Sequence, residues 1–304
     1  KKQPDGWALW RGDAKASGIA HTEPAMRPAP AKGPRLLWKN KLEKGWYEPT
    51  PVVAGGVLYI GVSNGLMYAF AAEDGKELWK SDTKSGFNAP ASVGDGRVFA
   101  GDYDGRMHCW DAKTGDEIWH YDTDGEINNG GNFYEGDILV GSQDGKLYRF
   151  NAKTGEVIWA YQSEDQIRTF PSIVEGRAFI AGCDGRLDVI DLAKGESLGK
   201  VELDAPTGSS AAILGTVAYV GTESDPFFAI DWKELKRIWT YAPRRGGGPY
   251  RGSAAVTPEG VYIGSNDRRV HAIDPATGNP LWTFATRGSI EGSPVVVGDR
   301  IYIG

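Results

Sequence analysis

The chain has 304 residues, 40% hydrophobic, 11% aromatic and 24% charged, with a formal net charge of −6. That is ample apolar material for a buried core, and the acidic balance argues against nucleic acid as the main partner. No run approaches the roughly eighteen apolar residues of a membrane span, and no leader peptide is visible at Lys1, so the sequence reads as a mature or trimmed form.

Residues 1–44 carry ten Lys or Arg against four Asp or Glu and include Pro4, Pro24, Pro28, Pro30 and Pro34. Proline fixes φ and removes a backbone donor, so 1–34 is expected to be a largely extended arm leading into one domain over 35–304. Arg11-Gly12-Asp13 inside it is an adhesion-like tripeptide whose chance frequency is too high to use.

From residue 35 the chain repeats. LMYAFAAEDGKELWK, RMHCWDAKTGDEIWH, KLYRFNAKTGEVIWA, RLDVIDLAKGESLGK and RVHAIDPATGNPLWT align, each after a block such as PVVAGGVLYIGVSNG or ASVGDGRVFAGDYDG. Trp38, Trp79, Trp119, Trp159, Trp239 and Trp282 recur at intervals of 40 to 43 residues once Gly199 is counted in the slot after Trp159. A forty-residue period is that of a four-stranded propeller blade. The first repeat divides into strands near 51–54, 57–62, 66–71 and 77–81, separated by Gly55-Gly56, Asn64-Gly65 and Asp74-Gly75, which supply the positive φ of tight turns. Leu58, Ile60, Met67 and Ala69 show the period of two expected of strands, and no useful helical period appears. The expected fold is all-β, a seven-bladed propeller of antiparallel four-stranded blades docked through the recurrent tryptophans.

First strands begin near 48, 88, 128, 168, 208, 251 and 291. The last repeat stops before its third strand, leaving two alternatives. Residues 36–42 close the last blade as its outer strand and residues 7–13 fill the remaining gap, or the native protein continues, leaving room for an eighth blade; the second is favoured. Gly199 removes one anchor, so the fourth blade is expected to dock loosely and exchange fast over 198–203.

One position per repeat opens the innermost strand at the channel mouth: Glu48, Asn88, Asn128, Arg168, Gly208, Arg251 and Glu291. Tyr47 and Tyr250 precede two of them, and the longer loop YAPRRGGGPYRGS is expected to bring Arg244 and Arg245 to the same face. Convergent polar groups backed by aromatics suit a ligand or partner, and Arg forks suit carboxylate or phosphate, so a small anion or acidic peptide is the expected class. The plain alternative is a solvated, water-filled mouth. His108 and His271 share the slot of Tyr68 and Tyr148 and read as packing residues, and Asp102 and Asp104 beside Gly105 read as a turn in preference to a calcium site. No nucleophile–base motif or phosphate loop stands out.

The A-K-T-G-x-x-x-W pattern at 112–119 and 152–159 resembles the tryptophan-docking repeat of quinoprotein propellers, and GWALWRGDAKASG followed by PRLLWKN resembles the leader segment of bacterial PQQ-like proteins. Over 35–304 the chain is similar to the PQQ-like repeat family with its BamB-like members. The resemblance implies an exported, periplasmic or cell-envelope propeller without catalysis, a scaffold that holds other envelope proteins through its face loops or by strand addition. Two alternatives stay open: a small-ligand or sensor propeller at the channel, and a PQQ-dependent dehydrogenase. The dehydrogenases resembled are much longer and hold PQQ against adjacent cysteines with calcium nearby. Cys109 and Cys183 are not adjacent and the ring has no tryptophan, so neither PQQ nor calcium is expected.

Overall fold

The computed structural model describes residues 6–20, 35–42, 44–243 and 248–304. Six antiparallel four-stranded blades and a two-stranded one follow each other in chain order. Blade 1 comprises Val52–Ala54, Val57–Gly61, Leu66–Ala71 and Glu77–Asp82, from the channel outwards. The inner strands of blades 2 to 7 are Ser92–Gly94, Asn132–Tyr134, Ser172–Val174, Ala212–Leu214, Ala255–Thr257 and Val295–Val297. Blade 7 adds only Arg300–Tyr302.

Local chemistry dictates the blade. In blades 1 to 4 the first turn takes two residues with positive φ, as in Asp95-Gly96 at 47° and 74°, the geometry that matches strand twist in a two-residue hairpin. The third turn of blades 2, 4, 5 and 6 uses a carboxylate: Asp111 Oδ1 accepts from the backbone of Lys113 and Thr114 at 2.8 and 3.0 Å, and Gly115 then turns with φ 77°. The A-K-T-G motif is this turn, and its glycine is the docking floor. A Cβ at Gly115 would lie 2.6 Å from the Trp79 ring, and Trp79 Nε1 donates to the Ala112 carbonyl at 3.0 Å. Trp38, Trp119, Trp159 and Trp239 dock in the same way over Gly75, Gly155, Gly195 and Gly278 of the following blade. Trp282, facing the two-stranded blade, is 44% exposed.

Each outer strand also carries a β-bulge just before the tryptophan slot, where Leu78, Ile118, Ile158, Leu198, Ile238 and Leu281 are the extra residues. The bulge throws these aliphatic side chains outwards and breaks the regular outer edge, which discourages edge-to-edge pairing.

At the two ends of the repeat array the first of the two alternatives, closure of the last blade by N-terminal segments, is not what the structure shows. Residues 36–42 form no strand, although Trp38 occupies the docking slot on blade 1. Residues 7–13 do not fill the last blade either: Gly6 and Trp7 pair with Ala54 and Val53 on the channel side of blade 1. Where an arm was expected, residues 6–20 run through the channel with Ala8, Leu9, Arg11, Ala16 and Ser17 buried. The loose docking expected at Gly199 is also corrected. Leu235, at the position where other blades have the docking glycine, lies over Gly199, and Trp232 beside it is buried against Phe179 at 5.5 Å.

Candidate functional site

Antiparallel strands give the propeller two faces. The upper face carries the loops that enter each inner strand and the second turns; the lower face carries the first and third turns.

The ring positions are at the upper mouth. Glu48, Arg168, Arg251 and Glu291 are exposed, while Asn88 and Asn128 are half-buried. Neighbours already engage most of them. Glu48 Oε2 accepts from the Tyr103 hydroxyl at 2.6 Å and from Trp46 Nε1 at 3.2 Å. Arg251 pairs with Glu291 at 3.2 Å, and Arg168 Nη2 donates to Gln166 Oε1 at 3.0 Å. Asn128 donates to Glu126 at 3.2 Å, leaving its Oδ1 shielded without a partner.

The residues preceding the ring mostly do not line it. Phe87, Ile127, Ile167, Tyr250 and Ile290 are buried against Gly61, Gly101, Gly141, Gly221 and Gly264, glycines in the last two residues of the second strands. Tyr250 is therefore a core residue, edge-on to Phe227 at 5.6 Å and to His271 at 6.0 Å, its hydroxyl unpartnered. Burial pushes its phenol pKa far up. Tyr47 is the exception, 36% exposed, its hydroxyl on Asn40 at 2.7 Å. Arg244 and Arg245 lie outside the described residues.

Sequence reasoning missed the aromatic neighbours of Glu48. Trp46 is 66% exposed, and Tyr103 reaches across from blade 2. Burial, and then the hydrogen bond to Glu48, push the Tyr103 phenol up to about 12, so it remains a donor at neutral pH. The Trp46-Tyr47 doublet at the entrance to an inner strand, without counterpart in the other repeats, was the available signal.

It also missed what closes the channel below the ring. Arg11 is buried at the axis, donating from Nη1 to Pro294 O and from Nη2 to Ala254 O, both at 2.7 Å. Burial pulls its pKa down to about 9, against the opposing pull of Asp13, so it is still a cation at neutral pH. Trp10 leans on Phe170 at 5.6 Å. On the lower face a cleft of about 740 Å³ opens between blades 2 and 3, lined by Leu9 and Ala14 together with Arg97, Phe99, Phe133 and Glu135.

The remaining candidates resolve as blade fastenings. Asp102 Oδ1 caps the backbone of Asp104 and Arg106 at 3.0 and 2.8 Å, while its Oδ2 meets His108 Nε2 at 3.0 Å. His108 Nδ1 meets Glu117 at 2.8 Å, and His271 bridges Tyr241 and Asp267. Among the described residues no three His, Cys, Asp or Glu side chains converge to hold a metal. Cys109 and Cys183 are free thiols in blades 2 and 4, and burial pushes Cys109 up to about 12.

The fold and mouth define the class as a β-propeller of tryptophan-docked, PQQ-like repeat blades. The family model described as outer membrane protein assembly factor BamB matches residues 29–104, 63–240 and 228–304, and the chain belongs to that family. It is similar to the crystal structure of BamB from Moraxella catarrhalis at 21% identity and a TM-score of 0.71, over 82% of this chain and 76% of that one. It is also similar to the computationally designed Ika8 protein at 16% identity and a TM-score of 0.73, over 83% and 78%. A search of curated proteins found no match.

Proposed function

We propose that the chain is a non-catalytic, exported propeller that serves as a protein-interaction scaffold in the periplasm or elsewhere in the cell envelope, and that it uses no cofactor. Fold alone does not assign a function; family membership supports envelope proteins as the partners. The observation that carries the reading is the aromatic group at the upper rim of blade 1. Glu48 ties exposed Trp46 to Tyr103, and Tyr47, next in the chain, is also exposed, with its hydroxyl on Asn40. Exposed, pre-positioned Trp and Tyr inside a polar rim are the residue types that dominate protein–protein binding energy. Photo-crosslinking side chains placed at positions 46 and 103, with Lys113 on the lower face as control, test this in cells. Discrete protein adducts from 46 and 103 alone are expected; their absence from both overturns the reading.

A small anion at the same mouth is the second reading. It is supported by Arg168, an exposed guanidinium at the mouth whose side-chain partner is the neutral Gln166. Combined Arg168→Ala and Arg251→Ala substitution should weaken such a ligand, and unchanged affinity sinks this alternative.

A further inference from the structure

The inner strand of each blade presents an edge to the channel, and its outward N–H groups need acceptors. At one register level all seven edges are served. The N–H groups of Val93, Ile173, Ile213, Val256 and Val296 donate to the carbonyls of Ala8, Ala14, Lys15, Ser17 and Gly18 at 2.5 to 3.0 Å. In blade 1, Val53 pairs with Trp7. In blade 3, Phe133 N–H is taken by Asn132 Oδ1, and Asn132 Nδ2 makes the connection to Ala14 O at 2.8 Å. Residues 6–20 thus visit blades 1 to 7 in order, a full circuit around the axis ending where Ala20 N–H donates back to Val296 O at 2.9 Å.

Main-chain pairing of this kind recognises an extended peptide whatever its sequence. Specificity comes from the centre. The Arg11 fork joins blades 6 and 7 through two carbonyls, bonds that lysine's single ammonium cannot reproduce in the same plane. Gly18 leaves room for it, since a Cβ there would collide with the Arg11 guanidinium, and Gly12 leaves room for the Trp7 ring, which a Cβ would approach to 2.7 Å. Asp13 holds the turn, its Oδ1 accepting from the backbone of Lys15 and Ser17 at 3.0 Å and its Oδ2 from the Ser17 hydroxyl. The Arg-Gly-Asp run, set aside in the sequence as chance, is the core of this arrangement.

We propose that the lower annulus of inner-strand edges is a peptide-binding site, that its ligand is this chain's own segment 6–20, and that Arg11 is the anchor that selects it. The segment is a separable ligand that clasps the ring through its centre, binding the folded ring and raising its stability by mass action.

The test keeps the full chain through folding. A protease site inserted between residues 22 and 33 is cut after folding, and the nicked protein is passed over a sizing column. The segment should stay bound, and the nicked protein should exchange it for a labelled synthetic peptide of residues 6–20. Peptides with Arg11→Ala or Arg11→Lys should compete at least about tenfold less well, the loss expected for a buried anchor. Because the variants are made in the peptide, folding of the body is not in question. Loss of the segment on cutting with an unchanged melting temperature, or equal competition by the Arg11→Ala peptide, overturns the proposal.

Discussion

Leu235 stands over Gly199, the reverse of every other docked pair in the propeller. Elsewhere a tryptophan of one blade lies over a glycine of the next; here the first blade supplies the glycine, with φ 150°, and the next supplies the large side chain, from a residue held at φ 52°. Trp232, from the same turn, adds a buried ring that accepts the Arg177 guanidinium on its face at 5.3 Å and donates to Gly215 O at 3.2 Å. The interface between blades 4 and 5 is packed from the opposite side.

The exchange of roles makes Gly199→Trp a collision with Leu235. Overpacking of this kind costs about 1–3 kcal/mol. Adding Leu235→Gly should recover much of the loss, since it restores the arrangement of the other blades and relieves a left-handed leucine. Denaturant midpoints of the four proteins form a double-mutant cycle. A double variant no more stable than Gly199→Trp alone contradicts the paired reading. Hydrogen exchange over 198–203 should match that around Trp119.

Gly115 and Gly56 share a backbone conformation, φ 77° and 78°, but differ in what lies above them. A Cβ at Gly56 meets nothing within 4 Å, whereas one at Gly115 meets the Trp79 ring at 2.6 Å. Gly56→Ala should cost only the left-handed strain, about 1–2 kcal/mol. Gly115→Ala adds displacement of the tryptophan and should cost at least about 1 kcal/mol more. Equal losses in chemical denaturation mean that the tryptophan dock contributes little.

The repeat was legible because its signals are local: turn glycines, alternation and a tryptophan every forty residues all act within one blade. The bulges at Leu78 and its equivalents were not, since an extra residue leaves the strand's composition unchanged. Leu235 escaped notice because its partner is a glycine, and an absent side chain advertises nothing. At the mouth, Glu48 and Arg251 were placed by register, but register does not tell which side of a strand packs, so Tyr250 was assigned to the channel when its ring fills the space over Gly221. The clasp was hidden for a further reason. Main-chain pairing leaves no pattern in side chains, and Arg11 looks like any basic residue of a polar leader.

Asp188 shows how a buried charge weakens one blade. It is 1% exposed, its Oδ2 takes the Tyr161 hydroxyl at 2.9 Å with Lys200 at 3.7 Å, and its Oδ1 has no partner. Burial raises its pKa above 3.8, outweighing the bond to Tyr161 and the charge of Lys200. Between the unfolded and the raised folded pKa the native state holds the extra proton, so this group's contribution to stability falls as pH rises through that window. Asp188→Asn keeps the bond to Tyr161 and sheds the charge. It should therefore be stabilising relative to the parent at neutral pH, with the advantage shrinking as pH falls towards 3.8. Urea midpoints across that range decide it; a variant less stable at neutral pH than in acid, relative to the parent, refutes the direction.

Titration with PQQ, with and without calcium, separates the scaffold from the quinoprotein reading. PQQ is a planar polycarboxylate, and the upper mouth opposes it: Glu48 adds a carboxylate of its own beside Tyr103, and Glu291 already neutralises Arg251. Adjacent cysteines against which it could lie are absent from the sequence, Cys109 being followed by Trp110 and Cys183 by Asp184. The expected outcome is no change in melting temperature and no saturable absorbance change. A rise of several degrees with saturation would move the assignment from scaffold to quinoprotein and point to the ring around Glu48 and Asn128. Repeating the titration with Arg168→Ala then tells whether that guanidinium holds a carboxylate of the cofactor.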